Sequence, residues 1–287
     1  MKVLPGLAAL LGCFSNRATA ASFLQRGSTT AAILMVFATL CTALPAAGAE
    51  PPALIRGGMF ESVLPPAPGV KQVRIADFRL DRTPVSNEQF AQFLKRQPQW
   101  RRDRIAAVFA DQSYLSHWQS ATGPGAALAQ QPVVQVSWFA ASAYCEERGA
   151  RLPHWYEWEY AAAASETQVD ARGDPAWRQR ILDWYSQSGR GALPRVGSTP
   201  ANVYGVRDLH GVIWEWVDDA ASMMVSGDNR EQGDPDVLRF CGSGAITMEQ
   251  KENYATLMRI AMLSSMQARF TSATMGFRCA IDVRSAP

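Results

Sequence analysis

The fifteen residues from Asn202 to Trp216, Asn-Val-Tyr-Gly-Val-Arg-Asp-Leu-His-Gly-Val-Ile-Trp-Glu-Trp, constrain this chain more than any other stretch. They join a turn, two carboxylates interleaved with backbone carbonyls, and a tryptophan pair. Carboxylates spaced among carbonyls suit a hard cation such as calcium, which takes several oxygen ligands. The plainer reading is that Asp208 and Glu215 cap turns or pair with Arg207 and other bases.

The chain opens on a different kind of segment. Its first 49 residues hold Lys2, Arg17 and Arg26, no acidic residue, and an apolar run from Ala31 to Leu44 that ends in small residues at Ala49 before Glu50. This reads as a secretory signal, residues 1–49, cleaved near Ala49, giving a periplasmic or secreted protein. The apolar run is shorter than the roughly 20 residues of a spanning helix, so no stable membrane span is expected. Three of the 28 basic residues and none of the 26 acidic ones fall in this leader, so the mature chain is close to neutral. No basic cluster is dense enough to track a row of phosphates, which argues against nucleic acid as a partner. Export also places Cys145, Cys241 and Cys279 where disulfides persist, and an odd count leaves one thiol over.

Residues 50–55 read as a linker and 56–287 as one domain. Lys71 to Leu80 alternates well enough for a strand. Ser86 caps a helix whose Phe90, Phe93 and Leu94 define one buried face, and Ser137 caps another that Gly149 stops. Trp155 to Ala164 is a third helical stretch, while residues 121–131 form an exposed connection. From Gly189 onward, glycine, proline and aspartate recur too often for long regular elements.

Four segments in order resemble the formylglycine-generating enzyme family: 202–216, Pro132-Val-Val-Gln-Val-Ser-Trp138, Arg151-Leu-Pro-His-Trp-Tyr-Glu-Trp-Glu-Tyr160 and Gly276-Phe-Arg-Cys279. The resemblance implies an α+β, C-type-lectin-like fold with sparse regular structure. It implies a disulfide between Cys145 and Cys279, leaving Cys241 free. It also implies a structural calcium ion held by Asp208, Gly211, Ile213 and Glu215, although Val212 stands where the family has asparagine. His154 stands where the family has a capping threonine.

The catalytic segment departs from the family. Copper-dependent members place two cysteines after a Gly-Gly-Ser turn, because thiolates are the soft ligands that Cu(I) prefers. Here the turn reads Cys241-Gly-Ser-Gly244, Tyr254 matches the family tyrosine, and Ala255 stands at the second cysteine. A bis-cysteine copper site cannot be built. What remains is Ser243, Tyr254 and Arg259, with Glu249 and Glu252 as candidate general bases or, alternatively, as ordinary surface glutamates. Met248, Met258, Met262, Met266 and Met275 offer thioethers to Cu(I), although such stripes are usually core packing. The family has a strand over this segment. Two functions follow as expectations: oxidative maturation of a peptide or secondary metabolite without thiolate copper, or a non-catalytic periplasmic binding module linked to copper handling. The partner is then a peptide, a small-molecule substrate or a periplasmic protein.

Overall fold

The computed structural model of the protein describes residues 50–64, 69–187, 191–220 and 254–283. Its regular elements are short. The strands are β1 (Ala53–Ile55), β2 (Gly58–Glu61), β3 (Gln72–Ile75), β4 (Phe78–Leu80), β5 (Trp214–Glu215), β6 (Met275–Gly276) and β7 (Ala280–Asp282). The helices are α1 (Asn87–Arg96), α2 (Trp138–Glu147), α3 (Trp155–Ala162), α4 (Pro175–Gln187) and α5 (Tyr254–Ser264).

Strands β1, β4 and β7 form an antiparallel sheet, β2 pairs antiparallel with β3, and β5 pairs parallel with β6. The single strand expected over 71–80 is two strands serving two sheets. Asp77 marks the break: its carboxylate accepts the Gly57 N–H at 2.9 Å and pairs with Arg56 at 2.6 Å, so the ladder cannot run through it. The expected linker over 50–55 likewise supplies β1, because Ala53 and Ile55 alternate into the core around exposed Leu54.

The first two helices form where the caps point. Ser86 and Gln89 make a reciprocal capping box at α1, satisfying two amides that the helix leaves without internal partners. Ser137 accepts from the Ala140 N–H at α2, and Gly149 ends that region in the left-handed conformation at φ 67°. Helix α3 starts without the capping threonine. Two carboxylates serve instead, Glu157 accepting the His154 N–H at 2.9 Å and Asp219 the Trp155 N–H at 2.8 Å.

Phe90 and Phe93 of α1 meet Tyr144 of α2, and Phe90 and Tyr144 both meet Phe277, with ring centroids 5.3–6.0 Å apart. Beside this cluster Cys145 and Cys279 form the disulfide that the resemblance implied. The crosslink closes 134 residues of sequence separation, so in the chain-entropy view it is worth about 4–5 kcal/mol. Both sulfurs are fully buried, and Cys145→Ser with Cys279→Ser will therefore lower stability by about 2–5 kcal/mol in urea unfolding. An unchanged midpoint would show that the bridge does not constrain the unfolded chain.

Candidate functional site

Glu215 is fully buried. It lies on β5, whose parallel pairing with β6 brings Arg278, two residues beyond β6, against it. Close packing makes this register possible at Gly276, where a Cβ would stand 2.3 Å from the Val133 carbonyl oxygen. Arg278 donates from Nε to Glu215 Oε2 and from Nη2 to Oε1, both at 2.8 Å. Trp158 donates its indole N–H to Oε2 at 2.9 Å. The rest of the guanidinium is spent on the Asp81 and Arg207 carbonyls, at 3.1 and 2.9 Å. Both partners have no exposed surface. A pair this deep is held only because each charge meets the other and nearly every polar atom is satisfied.

Arg259 of α5 completes the cluster. Its guanidinium carbon lies 3.5 Å from the centre of the Trp158 ring, and Nη2 donates to the Glu215 backbone carbonyl. The side chain has no exposed surface, and among the described residues Nε and Nη1 have no hydrogen-bond partner. Burial, with Arg278 nearby, pulls it down to about 10, so it remains protonated at neutral pH. Next to it His210 donates from Nε2 to the Ala162 carbonyl, 2.8 Å away, and burial above all pulls its imidazole down to about 4. Burial pushes the Tyr185 phenol, 3.5 Å from the other imidazole nitrogen, up to about 12.

These placements revise three expectations. Arg259 belongs to the core and does not line an open cleft, because ring stacking and the Glu215 carbonyl hold it inside. Residues 254–264 form a helix where the family has a strand. The run contains no glycine or proline and is rich in alanine, leucine and methionine, all helix formers. The methionines do not share one surface. Of the four described members of the set, Met266 and Met275 are buried, Met262 packs partly against the core, and Met258 is exposed. Tyr254 opens α5. Ser243, Glu249, Glu252, Cys241 and Met248 lie outside the described residues.

The calcium expectation also meets a chemical obstacle. Glu215 has both oxygens engaged by Arg278 and Trp158, and a cation there would strand a buried guanidinium. Asp208, at positive φ of 60°, accepts the Thr199 N–H at 2.9 Å on one oxygen and the Gly197 N–H on the other. Gly211 and Ile213 contribute no carboxylate. As arranged, these four residues do not fit calcium: the charge a cation would answer is already answered from within the protein.

Sequence reasoning missed α4 altogether. The signal was present in Asp174-Pro175, an N-cap followed by proline at the first helical position, with Trp177, Ile181 and Trp184 spaced for one face. Asp174 does accept the Ala176 N–H, at 2.8 Å. The helix then packs on α5 and places Tyr185 beside Trp214, ring centroids 5.2 Å apart.

Short strands in three small sheets, helices outside them and long irregular connections define an α+β domain knit together by a buried ion pair and a disulfide. Residues 44–283 match the sulfatase-modifying factor enzyme 1-like domain, and the chain belongs to that family. It is 27% identical to the mouse protein named inactive C-alpha-formylglycine-generating enzyme 2, over 90% of this chain and 95% of that one. It is 30% identical to the formylglycine-generating enzyme of Streptomyces coelicolor, over 74% of this chain and 81% of that one. Among solved structures, CarF aligns with a TM-score of 0.45 at 14% identity, covering 81% of this chain and 98% of CarF.

If the clamp replaces a metal, the thermal midpoint of the protein will be the same in calcium and in excess chelator. A saturable rise on adding calcium would contradict the assignment.

Proposed function

We propose that this protein is an exported member of its family that binds a peptide or small molecule and carries no thiolate-held copper. The observation behind this reading is a matter of sulfur. The segment from Gly242 to Arg278 contains no cysteine, and Cys145 and Cys279 are spent on a buried disulfide. Cu(I) held by two thiolates therefore has no ligands in the region where the resemblance would put them. The methionines do not supply a substitute, since two of them are core residues. A copper-handling role is not favoured for the same reason.

The name of the mouse relative, which carries the word inactive, runs in the same direction. So does the placement of Arg259, the one described side chain of the expected catalytic set, which serves the core. Oxidative maturation is the competing proposal, and it rests on Ser243, Tyr254, Glu249 and Glu252. Calcium is not part of the reading. Export and cleavage near Ala49 are part of it, and among the described residues no helix is long and apolar enough to cross a membrane.

Incubated with Cu(I), dioxygen and a peptide containing one cysteine, the purified protein will yield no aldehyde detectable by hydrazide labelling. Aldehyde formation that depends on copper would overturn the proposal. Dioxygen uptake without copper that is lost in Tyr254→Phe and Glu252→Gln would favour the competing one.

A further inference from the structure

Between α1 and α2 the chain carries Ala106-Ala107-Val108-Phe109, four consecutive apolar residues that are all exposed, Val108 at 65% and Phe109 at 41%. Single exposed apolar side chains are ordinary, but an unbroken run of them on one turn is not. The turn is firmly held. The Phe109 N–H donates to the Ala106 carbonyl at 2.9 Å, and the Asp111 N–H donates to the Arg269 carbonyl at 3.0 Å, which fastens the turn to the segment after α5. Phe109 rests on two further rings, Trp100 with centroids 5.7 Å apart and Phe139 of α2 at 5.4 Å. Phe139 meets Trp138 at 5.6 Å, and Trp138 donates its indole N–H to the Val217 carbonyl at 2.9 Å. Rings in series thus hold the exposed tip on a fixed base.

The charges beside the tip are lopsided. Arg101, Arg102 and Arg104 precede it, and Arg269 lies alongside Asp111. Both acids of this stretch are engaged. Asp103 holds Arg101 through its two oxygens at 3.1 and 2.8 Å, while Asp111 accepts the Ser113 and Thr271 N–H groups, each at 2.9 Å. Arg102 is tied by Nη1 to the Leu115 carbonyl at 2.9 Å. Arg104 is exposed and, among the described residues, its side chain has no partner. Arg269 is exposed as well, with Nε 3.3 Å from the Gln267 side chain and the half-exposed Phe270 next in sequence. Four arginines against two aspartates leave an excess of two positive charges around the apolar run.

We propose that this turn docks on an anionic lipid bilayer, with Val108 and Phe109 entering the interface and Arg104 and Arg269 meeting lipid phosphates. Neither set of side chains needs a directional partner: the apolar ones need hydrocarbon and the guanidiniums need anions, and an acidic membrane surface layers the two in that order. Aromatic rings favour the same boundary. An apolar insertion and a basic patch are each marginal alone, and together they give reversible attachment. Because the rings already fix the turn, little conformational entropy is lost on docking. Attachment of this kind is peripheral and calls for no spanning helix. It does not depend on whether the protein lacks copper chemistry or performs oxidative maturation.

Cosedimentation of the mature protein with extruded vesicles tests the proposal, the apolar leader being left out because it would bind lipid by itself. The protein will bind vesicles of mixed phosphatidylglycerol and phosphatidylcholine, will be released as sodium chloride is raised, and will not bind phosphatidylcholine alone. Val108→Gln, which alters no charge at a side chain already in solvent, will weaken binding about fivefold. Val108→Trp will strengthen it. Arg104→Glu will weaken it about tenfold. Near-ultraviolet circular dichroism will establish that each variant is folded. Failure of the wild type to bind anionic vesicles would overturn the proposal, as would equal binding to phosphatidylcholine alone. Unchanged binding in Val108→Gln would reduce the contact to charge and overturn insertion of the tip. A wild type that ignores vesicles yet forms a dimer that Val108→Gln dissociates would assign the turn to a second copy of this chain instead.

Discussion

The Glu215–Arg278 pair is the interaction on which the rest of this structure turns. Two full charges with no exposed surface are costly to desolvate, and they are tolerated because five hydrogen bonds answer them: two between the partners, one from Trp158 and two to the Asp81 and Arg207 carbonyls. Those contacts join segments far apart in sequence. β5 and β6 contribute only two residues each, too few to hold register by backbone pairing alone. The side-chain clamp across them locks what the ladder cannot. The disulfide one residue beyond Arg278 then ties the same strand end to α2.

That use of charge bears directly on chemistry. A carboxylate in the turn at 208–215 would be a cation ligand if its oxygens were free, but here the protein supplies its own cation. Arg259 deepens the effect by stacking on Trp158 and donating to the Glu215 carbonyl, so α5 is bolted to the same cluster. A helix anchored in this way in the family's catalytic region, with no thiol between Gly242 and Arg278, is a framework element. Ancestry and activity are therefore separate questions, because a fold can persist while the residues of its site change role.

Much of the framework was legible from local chemistry. Ser86 and Ser137 announced two helix starts through their capping oxygens, and the aromatic spacing at Phe90 and Phe93 identified the buried face. The disulfide was legible only through resemblance, since three cysteines allow more than one pairing. The division of 71–80 into two strands was not legible, because it depends on Asp77 meeting Gly57 and Arg56 across the fold. Helix α5 was misjudged because the family's strand was given more weight than the local helix-forming composition. The role of Glu215 was half legible: pairing with a base was foreseen as an alternative to a cation, but Arg278 could be named as that base only once β5 and β6 were side by side.

A double-mutant cycle on Glu215→Gln and Arg278→Met, read by urea unfolding, tests the central claim most directly. If the two charges exist for each other, each single change will be strongly destabilising, and the pair will show a coupling of at least about 1 kcal/mol. Additive effects, or a Glu215→Gln variant as stable as the wild type, would mean that the carboxylate answers something other than Arg278.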